Sequence, residues 1–377
     1  MLYVTFNDAP SGIYFSQVTD VCNYLKEELN ENVQLLAFLS VRSFRTNRLA
    51  IRKAFPGALV IPMVPKMKFW YLNRFTLFFI LLFSSRHKKL IARGPFATML
   101  ALAAKKAGMV KQVCFDARGA YTAELNEYNV VDDIGLKQSI SSIERNALLN
   151  CDFRLAVSEM LVTYWKTQFG YDGKAHVVIP CTLNRLFVRP LPSEEDSARV
   201  KHTVGFRSED VVLVYSGSSA GWQSFHLVDE FLATLLEKNK ELKVLLLAKE
   251  FPAEFLRSAE YKNRMVCKWV SPENVGDLLC ACDYGLIIRE PSVTNQVSSP
   301  VKFAEYLACG LSLLISQEIG DYTDFVKQHN CGWVVEGGKL PLSLPLPSRS
   351  HKLALNALAL DQFSKASFKE AYKKLCA

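Results

Sequence analysis

A chain of 377 residues, half of them hydrophobic and 22% charged, is long enough for two α/β domains and too apolar to be disordered. Its net charge of +8 is uneven: residues 1–185 hold 23 Lys and Arg against 14 Asp and Glu, and the remainder 22 against 23. The ten cysteines form no CxxC pair and no zinc-ligand spacing, which argues against a zinc module and for buried free thiols in a reducing compartment. No helix-turn-helix, RNP or zinc-finger pattern accompanies the basic charge, so nucleic acid is not the expected partner.

The opening MLYVTF reads as a strand and lacks the basic n-region of a signal peptide. The longest apolar run, Thr76 to Phe83, falls well short of the about 20 residues that span a bilayer. A cytoplasmic location is therefore expected. Strands are predicted at Leu2–Phe6, Val33–Phe38, Ala58–Pro62, Leu90–Ala92, Gln112–Phe115 and Phe153–Val157. Helices are predicted at Tyr14–Leu29, Trp70–Phe83, Phe96–Gly108 and Ile134–Leu149. This alternation implies a parallel sheet covered on both faces. The proline-rich stretch Val177–Pro192 then reads as a break. The pattern restarts with strands at Val211–Tyr215, Lys243–Ala248, Tyr284–Ile288 and Leu313–Ser316. Helices are expected at Phe225–Lys238, Asn274–Ala281, Val301–Cys309 and Asp321–Gln328, with a final helical stretch over Ala354–Leu375. Segment 337–350 reads as a loop. The expected division is 1–180, a linker 181–192, 193–350, and a C-terminal helix 351–377.

Arg42, Arg45, Arg48, Arg52, Lys53, Lys66, Lys68, Arg74, Arg86, Lys88 and Lys89 fall close to Phe69-Trp70-Tyr71. Such a mixture suits peripheral contact with an anionic membrane. A solvated helix face beside ordinary core residues reads equally well.

Three constellations carry chemistry. The first is PVKFAEYLACG, Pro300 to Gly310, preceded by Ser298 and Ser299. Serines before a proline mark a helix start and Gly310 its end. This N-terminus follows a strand of a parallel sheet, where ligands of open α/β folds bind. Its N–H groups and dipole favour an anion. Lys302 adds a full charge, and Glu305, one turn on, is placed to accept hydrogen bonds from ribose hydroxyls. The second is the strand-to-loop run Tyr215-Ser216-Gly217-Ser218-Ser219, whose small residues let a pyrophosphate approach the backbone. The third gathers strand ends of the first half: Ser11-Gly12, Arg93-Gly94, and Asp116-Ala117-Arg118-Gly119 with Glu124 beyond. An internal Asp116–Arg118 network is the competing reading there. Asp132-Asp133 is not a DxD metal motif and reads as surface.

The run Ser298 to Gly310 resembles the donor-binding helix of family 4 glycosyltransferases, especially those of bacterial surface-polysaccharide clusters. The loop at Gly217 and the Ser11–Gln17 segment resemble that family's glycine loops. The resemblance implies the α/β GT-B fold: two Rossmann-like domains with parallel sheets facing a cleft, the N-terminal one binding acceptor and the C-terminal one the nucleotide sugar. Carried over, Glu305 holds the ribose, and Ser299 and Lys302 the diphosphate. Gly217, Ser218 and Ser219 line the phosphates, and Arg289 supplies the cation that the loop lacks. Ser11, Gly12, Arg93 and Glu124 face donor and acceptor. Asp116 or Arg118 takes the place of the histidine that many members carry. Two departures stand out: Val297 occupies the position of the family's first glutamate, and the Gly217 loop has no Arg or Lys.

The implied reaction is metal-independent and retaining, needs no cofactor, and uses a UDP- or GDP-linked sugar as substrate. The implied acceptor is a lipid-linked oligosaccharide of O-antigen or capsule assembly at the inner membrane face. A nucleotide-sugar 2-epimerase on the same fold, or a non-catalytic partner in a polysaccharide assembly complex, are the alternatives.

Overall fold

The computed structural model describes residues 1–83, 89–128, 133–173, 175–217, 223–336 and 343–376. It divides into two compact units, Met1–Asn184 with Lys365–Ala377, and Arg185–Ser364. The division falls inside the stretch read as linker. Ser218, Ser219 and Asp132 lie outside the described residues, as do Arg86, Lys88 and most of the predicted 337–350 loop.

The first unit is built on strands β1 (Leu2–Phe6), β2 (Gln34–Leu39), β3 (Leu59–Pro62), β4 (Lys89–Arg93), β5 (Gln112–Asp116), β6 (Phe153–Ala156) and β7 (His176–Val178). All pairings are parallel, in the order β3-β2-β1-β4-β5-β6-β7. Continuous apolar runs such as QLLAFL explain this, because a parallel sheet is buried on both faces. The strand order reverses between β1 and β4, which opens the crevice where such folds bind ligands.

The second unit repeats the plan with β8 (Val211–Ser216), β9 (Leu242–Leu247), β10 (Met265–Cys267), β11 (Tyr284–Ile287), β12 (Ser312–Ser316) and β13 (Gly332–Val335). Their order is β10-β9-β8-β11-β12-β13, again all parallel. Its reversal lies between β8 and β11. Two parallel-sheet Rossmann-like units are thus present, each with one switch point.

Several local readings change. The helix expected over Tyr14–Leu29 runs without a break from Gly12 to Glu27 but carries a π turn at Phe15–Thr19. The final helical stretch is broken: Arg349–Phe363 packs on helix Val301–Ala308 in the second unit, and Lys369–Cys376 joins the first. Lys365 causes the exit, since its buried ammonium reaches Asp20 at 2.6 Å and the Leu183 carbonyl at 2.7 Å. Tyr372 and Leu375 then complete the first unit's core. Within the proline-rich 177–192 stretch, Val177 and Val178 extend β7 alongside β6. All ten cysteines are free thiols.

Candidate functional site

In the second unit, β8 and β11 end side by side and lead into Gly217 and Arg289. Gly217 is required by its neighbour: a Cβ there would stand 2.8 Å from the Tyr215 hydroxyl. Arg289 is 7% exposed. Its backbone N–H donates to Ser316 Oγ at 2.7 Å, and its Nη1 to Asn295 Oδ1 and Ser298 Oγ, both at 3.3 Å. The guanidinium is thus fixed by neutral oxygens beside the turn that precedes helix Val301–Ala308.

That helix starts differently from the serine-capped form expected. Pro300 is itself the N-cap, and no side chain caps the first turn. Ser298 Oγ instead donates to the Asn295 carbonyl at 2.8 Å. Ser299 Oγ pairs with the Tyr322 hydroxyl at 2.5 Å. The serines therefore brace the loop, and the first-turn N–H groups carry no side-chain cap. Gly310, at φ +76°, follows the last turn, where the left-handed conformation favours glycine.

Lys302 lies in the first turn and is buried. Its ammonium donates to Gln223 Oε1 at 3.0 Å and lies 4.7 Å from the Tyr215 ring centroid. Burial, reinforced by Arg289, holds its pKa well below the ordinary lysine value, with Glu305 pulling the other way. Glu305 is partly buried, and desolvation pushes its carboxyl up to about 7 against the pull of Lys302. The next residue, Tyr306, accepts the Ser216 N–H on its hydroxyl at 2.9 Å, tying the helix to the end of β8. Val297 is buried apolar core. The structure thus brings Gly217, Arg289, Ser299, Lys302 and Glu305 together at one switch point. Sequence reasoning missed Gln223 and Asn295, whose neutral amides position the two cations.

The first unit's switch point holds a different cluster. Arg93 and Asp116 are register partners at the ends of β4 and β5. Asp116 is fully enclosed and pairs with Arg118 Nε at 2.8 Å and Arg93 Nη1 at 3.8 Å, while the Tyr3 hydroxyl donates to it. Arg93 Nε also donates to Asp8 at 2.8 Å. Burial disfavours both guanidinium charges, but the carboxylates outweigh it and raise both pKa values, with Asp8 leading for Arg93 and Asp116 for Arg118. Glu124 is raised by burial. Ser11 accepts the Tyr14 N–H at 3.2 Å, and Gly12 stays exposed with open space beside it. Tyr3 and Asp8 went unread. A tyrosine inside a strand looks like core, and nothing in its neighbours marks the hydroxyl's partner 113 residues away.

Asp133, half of the pair read as surface, caps helix Ile134–Asn150 by accepting the Leu136 N–H at 3.0 Å. Among the described residues, no three His, Cys, Asp or Glu side chains gather where they could hold a metal. No described helix is long and apolar enough to cross a membrane.

No protein-family model and no curated protein sequence matches this chain. Solved structures do. A glycosyltransferase from Rickettsia africae ESF-5 superposes with a TM-score of 0.71 at 16% identity, over 99% of this chain and 98% of its own. Sucrose-phosphate synthase from Thermosynechococcus elongatus gives 0.69 at 11% identity, over 100% and 99%. Anabaena HepE, solved in complex with UDP and glucose, gives 0.65 at 14% identity, over 99% of each chain. With two parallel-sheet Rossmann-like units matched end to end, the chain has the GT-B fold of these glycosyltransferases.

Proposed function

We propose that this protein is a glycosyltransferase that moves a hexose-type sugar from a UDP- or GDP-linked donor to a hydroxyl of an acceptor sugar. One observation carries the reading. Two buried cations, Arg289 and Lys302, stand with the uncapped N-terminus of helix Val301–Ala308 at the second unit's switch point, and Glu305 follows one turn later. Amide and hydroxyl oxygens of Asn295, Ser298 and Gln223 orient those groups, and an incoming diphosphate would gain charge-assisted hydrogen bonds from both. The helix dipole adds to them. Glu305 accepts from the ribose hydroxyls, which favour its ionised form.

As the bond to the sugar breaks, charge builds on the leaving diphosphate. Arg289, Lys302 and the helix N–H groups offset it in a desolvated setting, with no metal required. Arg93 and Arg118, oriented by Asp116, serve the acceptor side by positioning the sugar or the attacking hydroxyl. Asp116, being enclosed, acts through them. Retention at the anomeric carbon, the surface-polysaccharide role and a lipid-linked acceptor at the inner membrane face follow from the resemblance at 298–310. HepE's complex with UDP and glucose is consistent with such a donor.

A thermal-shift screen with UDP, GDP, ADP and CMP tests the reading. At 100 times its dissociation constant, the right nucleotide should stabilise the wild type by about 2.7 kcal/mol, and Glu305→Ala should lose most of that. A wild type that no nucleotide shifts at millimolar concentration would remove the proposal's support. Donor turnover without acceptor would make the protein an epimerase instead.

A further inference from the structure

Seven of the ten residues of helix Asn73–Leu82 are apolar, yet only one side of it is covered. Asn73, Leu77 and Leu81, spaced by one turn, are buried toward helix Gly94–Lys106. The opposite side presents Phe75, Phe79, Leu82 and Phe83, which are 57%, 63%, 67% and 79% exposed. Their spacing of four, three and one residues makes a single continuous face. Two aromatics of the preceding turn, Phe69 and Tyr71, are exposed as well. Contiguous exposed apolar faces rimmed by polar residues mark interaction sites, unlike single exposed apolar residues.

The charge around it says what covers it. From Asn32 to Phe115 the chain contains no Asp or Glu and fifteen Lys and Arg. Lys66, Lys68 and Arg74 lie on this helix or within the seven residues before it and are exposed. The Arg74 guanidinium lies 4.9 Å from the Phe75 ring centroid, and the Lys68 ammonium 5.2 Å from that of Phe69. A second copy meeting this face would bring like charge to like charge. An anionic lipid surface offers both the apolar interior and the opposite charge.

The topology also divides the basic residues. The crossovers β1-β2 and β2-β3 step outward, and β3-β4 steps back across the sheet. Right-handed connections therefore put helix Phe44–Ala54, with Arg45, Arg48, Arg52 and Lys53, on the face opposite helix Asn73–Leu82. The basic stretch is two surfaces, and only one of them carries exposed aromatics in a row.

We propose that the Phe75–Phe79–Leu82–Phe83 face inserts into an anionic bilayer surface, lying parallel to it, with Lys66, Lys68 and Arg74 at the head groups. This deepens the membrane-side acceptor of the proposed function, but its test is separate. The full chain is sedimented with phosphatidylcholine vesicles and with vesicles also containing phosphatidylglycerol. The wild type should bind the anionic vesicles. Phe75→Ser with Phe79→Ser should weaken that binding by about tenfold or more, and Lys66→Glu with Lys68→Glu by about fivefold per residue. Arg45→Glu with Arg52→Glu should change it little. All six substituted residues are exposed, so thermal midpoints should stay at the wild-type value and report intact folding. Binding that survives the double serine variant, or that falls equally with the Arg45 and Arg52 reversals, overturns the proposal. So does an absence of vesicle binding together with a dimer that the serine variant dissolves, which would make the face a contact between copies. The nucleotide thermal shift on the same samples shows independently whether the transferase reading stands.

Discussion

Lys302 donates to Gln223 Oε1 at 3.0 Å and has Arg289, not a carboxylate, as its strongest charged influence. A buried lysine held by a neutral amide and beside a second cation gives up its proton more readily than an ordinary lysine, and an anion bound beside it favours the charged form. Nucleoside diphosphate binding should therefore take up protons. At pH 8.5 Glu305, pushed up to about 7 by burial, is already ionised, and the exchange reports Lys302. Calorimetric titrations in buffers of different ionisation enthalpy should give net proton uptake. Lys302→Met should abolish the uptake and weaken binding by about tenfold or more. Heats that do not depend on the buffer in the wild type would refute this account.

The two carboxyls pushed up to about 7, Glu305 and Glu144, give the free protein a pH signature. Glu144 caps helix Tyr121–Tyr128 by accepting the Tyr121 and Thr122 N–H groups and the Thr122 hydroxyl, but burial still dominates. A carboxyl whose folded pKa lies above its unfolded value of 4.5 contributes stability that is complete below about pH 4.5. That contribution is lost as pH rises toward the folded value. The melting temperature should fall between about pH 5 and pH 8, and Glu305→Gln and Glu144→Gln should each flatten the fall by about 2–4 °C. Parallel melting curves for wild type and both variants would contradict the assignment.

How much of this was legible in the sequence differs by level. The inner strands of the two sheets were, because doubly buried strands such as Val211–Ser216 show as unbroken apolar runs, whereas the short edge strands β7, β10 and β13 were not, having only three or four residues each. Helix Val301–Ala308 was, because Pro300 and Gly310 punctuate it. Helices Phe44–Ala54, Glu159–Phe169 and Glu194–Val204 were not, since their many polar residues blur the periodicity. At the site, charge at or just after a strand end pointed to Arg93, Asp116 and Arg289, and the helix start after Pro300 pointed to Lys302. Their orienting partners were not marked: Tyr3, Gln223 and Asn295 look like core or loop until the fold sets them beside a charge. Local propensity also misled at Ser298 and Ser299, where Asn295 and Tyr322 compete successfully for the hydroxyls that a cap would use.

Gly285, in β11, should prove as important to nucleotide binding as residues that touch the ligand. A Cβ at that position would lie 2.2 Å from Tyr306 Cδ2, and Tyr306 ties helix Val301–Ala308 to β8 through Ser216. Gly285→Ala must displace the ring and with it the helix start. The expected cost is about 1–3 kcal/mol in stability, with a loss of nucleotide-induced thermal shift larger than that destabilisation alone would give. Tyr306→Phe removes only the hydrogen bond and should cost about 1 kcal/mol. If Gly285→Ala keeps the wild-type nucleotide shift, the helix is not positioned through this contact.

Asp116 offers the cleanest separation of architecture from chemistry in the first unit. Its carboxylate is the shared counter-ion of Arg93 and Arg118, and it is wholly enclosed with the Tyr3 hydroxyl upon it. Asp116→Asn keeps the shape but leaves two buried guanidinium groups facing a neutral amide. Breaking a buried pair in this way costs about 3–5 kcal/mol. Arg118→Lys retains the charge while losing the planar fork, so it should cost less stability. Because Asp116 acts by orienting the arginines, donor-nucleotide affinity, read by thermal shift, should stay within about twofold in Arg118→Lys, while transfer to acceptor falls with a raised KM for acceptor. A variant that transfers sugar at the wild-type rate and acceptor KM would show that the cluster merely holds the first sheet together.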